Sequence, residues 1–586
     1  MFSNSGMLKI VFSVAIVVMI GKPWLRGERP FDPSLTPTAW QLYYARRFCA
    51  IGASSMQLLQ DRRMTKTAEE FPKVAQPSRT HARAILAAII FLFCVIRGPL
   101  LFRIPGAMDE EHYAVAGWAV AEYGIPKNPT IPSRDLESAF YKADEALFAM
   151  PPAFFYWQAP FFLIFPGSSG TARLGSAMAG IITIILVAKL GRALWNDATG
   201  LWAAGLYSVS RFFYFAATTA RPDMLCWMFG VASVLAMWNW QETEKTRYLA
   251  GAGLLIGLGG LSHPFAMAYG ILAGGWILVR SADMKSAARA LGILAGSMLL
   301  AFSLWLPLVL TYYEHFRIQF YNNIIHPGHQ GLLTRFMMPW ESIIYHFDML
   351  LKHVGPIQMT LAYGSLILTA AISFRTDERS RRRGVRMILF GVLALIVCQG
   401  THYANGYWCY GGALLFLAVG RLFALIAEQI SGSTLVRTTA TGALIIAASL
   451  IMVPGSGLRT WFVHVRNWDN PNYNGPQFAA ALIDSLPERA RFTVGDEFVL
   501  DFFLAGRDTI SSHTLPLYFR ADQEPFDFLI ISRRGLLHSR QDDFSGAVFE
   551  RSVGDENDVF SCYARIYRYH PPDEISSSPN AADIDK

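Results

Sequence analysis

Apolar stretches of roughly 17–22 residues recur along most of this chain, and each is long enough to span about 30 Å of hydrocarbon. A soluble chain of 586 residues would suggest several domains. Here 53% of the residues are apolar, only 16% are charged and the mean hydropathy is +0.29. The expected fold class is an α-helical polytopic membrane protein. The stretches are 84–102, 173–194, 200–218, 224–240, 248–262, 264–280, 289–311, 357–373, 387–400, 407–425 and 437–454, which gives about eleven transmembrane helices.

The charge is unevenly spread. From Gly457 onward there are 20 Asp/Glu against 13 Lys/Arg, so the region before it carries the whole basic excess of the chain, whose net charge is +7. Basic loops on a membrane protein point to anionic lipid headgroups on the cytoplasmic side and not to nucleic acid. Residues 7–20 are apolar but are interrupted by Lys9 and short for a span. Residues 22–83 carry eleven Lys/Arg and five Asp/Glu, so 1–83 is expected to be a basic cytoplasmic extension. With that end inside, Asp109 falls outside. Lys189/Arg192, Lys245/Arg247, Arg280/Lys285/Arg289 and the six arginines of Arg375–Arg386 then fall inside. The layout needs 151–166 not to cross. Pro151-Pro152 and the aromatic Phe154-Phe155-Tyr156-Trp157 suit a helix lying at the interface.

An odd number of spans sends the C-terminus to the side of Asp109. The pattern there predicts a helix over 475–486 and strands at Arg491–Gly495, Phe526–Ser532 and Val559–Tyr569. The expected organisation is therefore a membrane domain over 84–457, with 103–172 as its first outer loop. A small extracytoplasmic α/β domain over 458–570 and a disordered tail over 571–586 complete it. No internal repeat supports an inverted-repeat transporter. The six cysteines form no CxxC pair and read as small buried hydrophobes.

The run Met108-Asp109-Glu110-Glu111-His112-Tyr113 follows the first span. Three carboxylates in a row cannot face lipid. Asp109, with Glu110 beside it, could be a general base that takes a proton from an acceptor hydroxyl. An inverting sugar transfer needs one such carboxylate, while the donor's own phosphate serves as leaving group without a general acid. The bland alternative is an acidic loop, with Glu111 simply solvated. Arg221 in Ala220-Arg221-Pro222-Asp223 could grip a phosphate with its planar fork, and Asp223 could orient it or cap the following helix. His263 lies in another outer turn and could touch a phosphate or serve structure. The outer segment Tyr313–Trp340 holds His315, His326, His329 and Asn322-Asn323. Its spacing matches no structural zinc pattern. Substrate contact through Asn323 and His326, or interface anchoring, is expected instead. No cofactor is implied with certainty, and a divalent cation stays open.

In their order these residues resemble a family. An acidic pair follows the first span, then Pro-Pro-x-x-x-Tyr-Trp at 151–157, then Arg173 opening a span, Gly191-Arg192, Arg221-Pro222-Asp223 and the turn at His263. The order is similar to that of the membrane-embedded GT-C glycosyltransferases that use polyprenyl-phosphate sugars, especially lipid A aminoarabinose transferases and bacterial relatives of protein O-mannosyltransferases. The resemblance runs over 84–360 and more weakly beyond. It implies Asp109 as catalytic base with Glu110 beside it, Pro151-Pro152 opening a helix over the site, and His263 where the aminoarabinose enzymes carry a lysine near the donor phosphate. Arg173 is a further candidate for that phosphate, and His112 stands where those enzymes have an arginine. Ala149-Met150 replaces their Glu-Lys. These departures favour another sugar or acceptor.

The expected function is transfer of a sugar from a polyprenyl-phosphate donor to a lipid, polysaccharide or protein acceptor on the outer face of a bacterial cytoplasmic membrane. The alternative is a transporter or flippase of a polar lipid, which predicts ionisable residues buried mid-span. Here they collect at outer span ends. A non-catalytic assembly factor that docks through the C-terminal domain is a third reading.

Overall fold

The computed structural model describes residues 78–106, 109–325, 332–375, 379–401, 407, 409–430, 433–511, 526–538 and 547–569. The expected basic extension, apart from its last residues, the tail and His326 lie outside the described residues.

Helices occupy all eleven apolar stretches, but not as eleven uniform rods. Among the described residues five are long and apolar enough to cross a membrane: Arg79–Arg103, Ser169–Leu194, Met284–Thr311, Pro356–Arg375 and Cys409–Gln429. Asp223–Thr243 is also long, at 21 residues, whereas Thr246–Gly260 and Met267–Arg280 are 15 and 14. The stretch 200–218 is not one helix. It breaks into Asp197–Ser208 and Arg211–Thr218, because Ser210 turns extended and its Oγ donates to the Tyr207 carbonyl. The stretch 289–311 tightens into a 3₁₀ turn at Ser303–Trp305 just before Pro307.

Small residues set the closest helix crossings. A side chain on Gly200 would strike the Ala188 carbonyl at 2.2 Å, and one on Gly420 would meet the Thr199 carbonyl at 2.6 Å. The helix Asp197–Ser208 is thereby wedged between Ser169–Leu194 and Cys409–Gln429 at backbone distance, the packing that apolar surroundings favour.

The stretch at 151–166 is a single helix, Ala153–Ile164. At 12 residues it reaches only about 18 Å, too short to cross. It buries Phe154, Phe155 and Gln158 and exposes Tyr156, Leu163, Ile164 and the following Phe165.

The C-terminal region forms a five-stranded sheet in the order β2-β1-β3-β5-β4. The strands are β1 (Arg491–Val494), β2 (Asp508–Ser511), β3 (Phe528–Ser532), β4 (Ala547–Gly554) and β5 (Tyr563–Tyr569). β1 pairs parallel with β2 and β3, while β5 pairs antiparallel with β3 and β4. Every residue of the central β3 is buried, so it reads as a continuous apolar run. β4 is mostly exposed and bulged between Phe549 and Arg551, as suits an edge. The helix Gly475–Asp484 ends before Pro487, with Asn474 capping its start. This sheet's core is not sealed off from the helices. Phe478, Phe498, Phe502 and Ile566 share one buried cluster with Ala114, Val115, Ala172 and Ala220.

Candidate active site

Asp109 sits at the cap position of the helix Glu110–Tyr123, so its two acidic neighbours occupy that helix's first turn. Successive side chains on a helix diverge by about 100°, and the three carboxylates go to three different places. Asp109 keeps 32% of its side chain exposed, while Glu110 and Glu111 are fully buried.

Glu110 meets Arg173 as a two-pronged pair, with Arg173 Nε to Oε1 and Nη2 to Oε2 both at 2.7 Å. The Ala220 amide also donates to Oε1, at 2.6 Å. Arg173 Nη1 donates to the carbonyls of Leu101 (2.8 Å) and Ile104 (2.6 Å), and Nη2 to that of Pro105 (2.8 Å). All five guanidinium N–H groups are thus spent on protein acceptors. Arg173, expected at a donor phosphate, and Glu110, expected beside the base, are placed here as each other's partners. They pin the chain leaving the first span.

Asp109 faces Arg221, whose Nη1 lies 2.5 Å from Oδ2; the Tyr113 hydroxyl donates to the same oxygen at 3.3 Å. Arg221 is 3% exposed, and its Nε donates to Asp223 at 2.9 Å. Burial alone would lower the Arg221 guanidinium, but Asp109 and Asp223 outweigh it and hold it well above its usual value. Asp223 does not cap its helix. Pro222 holds the cap position, and the carboxylate takes Arg221 and the Tyr410 hydroxyl (3.4 Å) instead. Arg221 therefore pairs with two acids, where the sequence suggested Asp223 alone. Burial, then Asp109, pushes the Tyr113 hydroxyl far above its usual range, so it remains a donor.

His263 opens a short turn, its Nδ1 accepting from the Phe265 amide at 3.2 Å. That leaves the ring proton on Nε2. The ring lies 5.5 Å from Tyr407 and 5.8 Å from Tyr410, centroid to centroid, so one aromatic wall joins His263 to the Arg221–Asp223 pair. A narrow cleft beside it is lined by Phe265, Ala268, Leu395, Gln399, Tyr407 and Tyr410. Ala153 N donates to the Leu261 carbonyl at 2.9 Å, tying the Pro151-Pro152 segment to the His263 turn.

Other expected contacts are placed elsewhere. His112 is buried against Phe140, 6.2 Å between ring centroids. Asn323 does not point to a substrate: its Nδ2 donates to the Ala149 carbonyl. Asn322 reaches the carbonyls of Leu136 (2.8 Å) and Ser138 (3.2 Å). Gln319 accepts from the amides of Phe148 (2.7 Å) and Ala149 (2.9 Å). These side-chain amides buckle the loop over 103–172 to the segment 319–323. His315 pairs with Glu145 at 2.9 Å. Among the described residues no three or more His, Cys, Asp or Glu side chains are grouped as metal ligands, so a divalent cation is assigned no site. Glu111, expected to be solvated, accepts from Ser169 Oγ (2.9 Å) and from the Leu500 amide of the C-terminal domain (2.8 Å).

Sequence reasoning missed Tyr113, Tyr407 and Tyr410. The aromatic string Tyr407-Trp408-Cys409-Tyr410 at the head of a span was the available signal.

Residues 149–310 match the family model described as dolichyl-phosphate-mannose-protein mannosyltransferase. No curated protein matches the chain in sequence. Solved structures share its fold. ArnT from Cupriavidus metallidurans bound to undecaprenyl phosphate superposes with a TM-score of 0.54 at 14% identity, covering 83% of this chain and 98% of that one. The same enzyme in the apo state gives 0.51 at 13% identity, covering 84% and 98%. The apo oligosaccharyltransferase of Archaeoglobus fulgidus gives 0.50 at 11%, covering 78% and 70%. The resemblance to the GT-C glycosyltransferases read from the sequence is thereby shown, by family model over 149–310 and by fold over most of the chain.

Proposed function

From that kinship we propose that this protein is an integral membrane glycosyltransferase of the inverting kind. It takes a sugar from a polyprenyl-phosphate donor and passes it to a lipid, polysaccharide or protein acceptor at the outer face of a bacterial cytoplasmic membrane. One observation carries the reading. Of three consecutive carboxylates only Asp109 keeps solvent access, and it is held in place by Arg221 and Tyr113. The ArnT structure that shares the fold binds undecaprenyl phosphate, a lipid phosphate of the proposed donor class.

In the proposed reaction Asp109 accepts the proton of the acceptor hydroxyl as the hydroxyl oxygen bonds to the sugar's anomeric carbon. The bond from that carbon to the phosphate oxygen breaks, and the polyprenyl phosphate leaves with the electron pair. The Arg221 contact fixes the direction of Asp109. Arg221 and the Nε2–H of His263 offer positive charge and a donor to the departing phosphate. This is where stabilisation counts most. Arg173 and Glu110 stand behind the site, pinning the chain that leaves the first span. A carboxylate–arginine couple at an outer span end, with no ionisable relay described mid-span, suits surface chemistry better than carriage across the bilayer.

The test is mass spectrometry of envelope lipids, polysaccharides and proteins with and without the gene. A hexose, pentose or amino sugar should disappear, return with the wild-type gene and stay absent with Asp109→Asn. An unchanged glycan profile would count against the reading.

A further inference from the structure

The side of the acidic run turned away from Arg221 meets the C-terminal domain. Glu111 Oε2 accepts the Leu500 amide at 2.8 Å and Oε1 accepts Ser169 Oγ at 2.9 Å. The Gly106 amide, on the chain entering the run, donates to the Glu497 carbonyl at 3.3 Å. A side chain on Gly106 would lie 2.1 Å from Glu111 Oε1, so this segment closes directly over the carboxyl. Two turns further along the helix, Trp118 meets Phe503 edge-on at 5.0 Å. The chain on both sides of Asp109 is therefore gripped by one short stretch of the C-terminal domain, residues 497–503.

We propose, resting on the reading of Asp109 as the base, that Glu111 is a positioning residue: through the Leu500 amide it makes the placement of Asp109 depend on a docked C-terminal domain. The geometry supports this over simple domain packing. Glu111 is fully buried, yet among the described residues no salt bridge reaches it. The charged groups facing it are Glu110 on its own helix, Arg173 from the span Ser169–Leu194 and Asp501 from the C-terminal domain. Arg173 is already committed to Glu110. A buried carboxyl without a cation is a poor packing choice unless its hydrogen bonds set a position. It lies two positions on from Asp109 within one helical turn, so a displaced Glu111 displaces Asp109.

The same contact is sensitive to protons. Burial, then Asp501 and Glu110, hold the Glu111 carboxyl well above the usual carboxylate range, and burial pushes Asp501 up to about 7. Raised values mean that docking is strongest at low pH, where these carboxyls are neutral whether docked or free. Docking then weakens from about pH 4, the ordinary carboxylate value, until the raised value is passed, and levels off above it.

The experiment uses the full chain in nanodiscs and reads hydrogen exchange in peptides 109–116 and 497–504 beside transfer kinetics. Glu111→Ala should raise exchange in both peptides and cut kcat by roughly 10²-fold, the cost of a misplacement near 1 Å, with KM for the donor close to wild type. Glu111→Gln keeps the shape and the acceptor for Leu500. It should restore both readouts to within a few-fold and flatten the pH dependence of protection. Wild-type kcat in Glu111→Ala, or faster exchange confined to 497–504, would overturn the proposal. So would a failure of Glu111→Gln to rescue either readout. Should Asp109→Asn keep full transfer, the base assignment falls separately, while the coupled exchange of the two peptides still reports whether Glu111 links them.

Discussion

Two arginine–carboxylate couples lie side by side in this molecule, built from neighbouring acids. Arg173–Glu110 is closed: both side chains are buried, every guanidinium N–H is used, and Glu110 holds an amide as well. Arg221–Asp109 is open on one side. Its arginine is as buried as Arg173, but Asp109 keeps about a third of its surface and shares the cation with Asp223. Each joins a buried arginine to an acid of the same run, and the accessibility of that acid separates their roles. A closed couple returns its desolvation cost only as structure. An open one leaves a charged, oriented oxygen where a second reactant can arrive. That is why Asp109 is assigned the chemistry and Glu110 the support.

Around the base itself, the effect that most readily breaks this distinction is expected at Arg221. Arg221→Ala should lower specific activity by about 10²–10³-fold, the usual cost of removing one group that stabilises a leaving charge. Arg221→Lys keeps the charge but not the fork and should fall between the two. Measured beside the melting temperature, loss of yield with normal turnover would make the open couple merely a second structural one. In the closed couple the effect should move to stability. Arg173→Ala leaves Glu110 buried without its cation and should cost about 3–5 kcal/mol. Protein yield and melting temperature then drop, while the folded fraction turns over near the wild-type rate. A stable, inactive Arg173→Ala would erase the contrast from the other side.

A gentler test asks which side of the membrane the open couple faces. Asp135→Cys and Ser545→Cys should react with an impermeant thiol reagent added outside, and Ser380→Cys should not. The reverse pattern would turn Asp109 toward the cytoplasm and remove the main reason for a polyprenyl donor.

Much of the membrane region was legible because apolar runs near 20 residues leave few alternatives. Its breaks were less so. Ser210 ends a helix inside a mostly apolar stretch by turning extended and bonding back to the Tyr207 carbonyl, a local break that the apolar run does not signal. The acidic run announced a site but not its roles. Which of three consecutive acids meets water depends on 100° steps around a helix. It depends too on partners 63, 112 and 389 residues away. Arg173 was a phosphate candidate through the resemblance and its place at the start of a span, and the structure gives it Glu110 as partner instead. Asn323 was a substrate candidate as part of a polar His/Asn segment, and its partner is a backbone carbonyl. In the C-terminal region three strands and a helix stood out by pattern. β2, at four residues, and the exposed, charged β4 carried too little periodicity to show.

The central claim is that the open couple carries the chemistry and the closed one the architecture. Its most direct test compares Asp109→Asn with Glu110→Gln in a purified transfer assay using a polyprenyl-phosphate sugar, with turnover counted per folded molecule. Asp109→Asn should fold normally and lose about 10²–10⁴-fold in rate, the usual contribution of a general base. Glu110→Gln should fold poorly, and its folded molecules should work. A well-folded, inactive Glu110→Gln beside an Asp109→Asn that transfers within a few-fold of wild type would contradict the account and move the base one residue along.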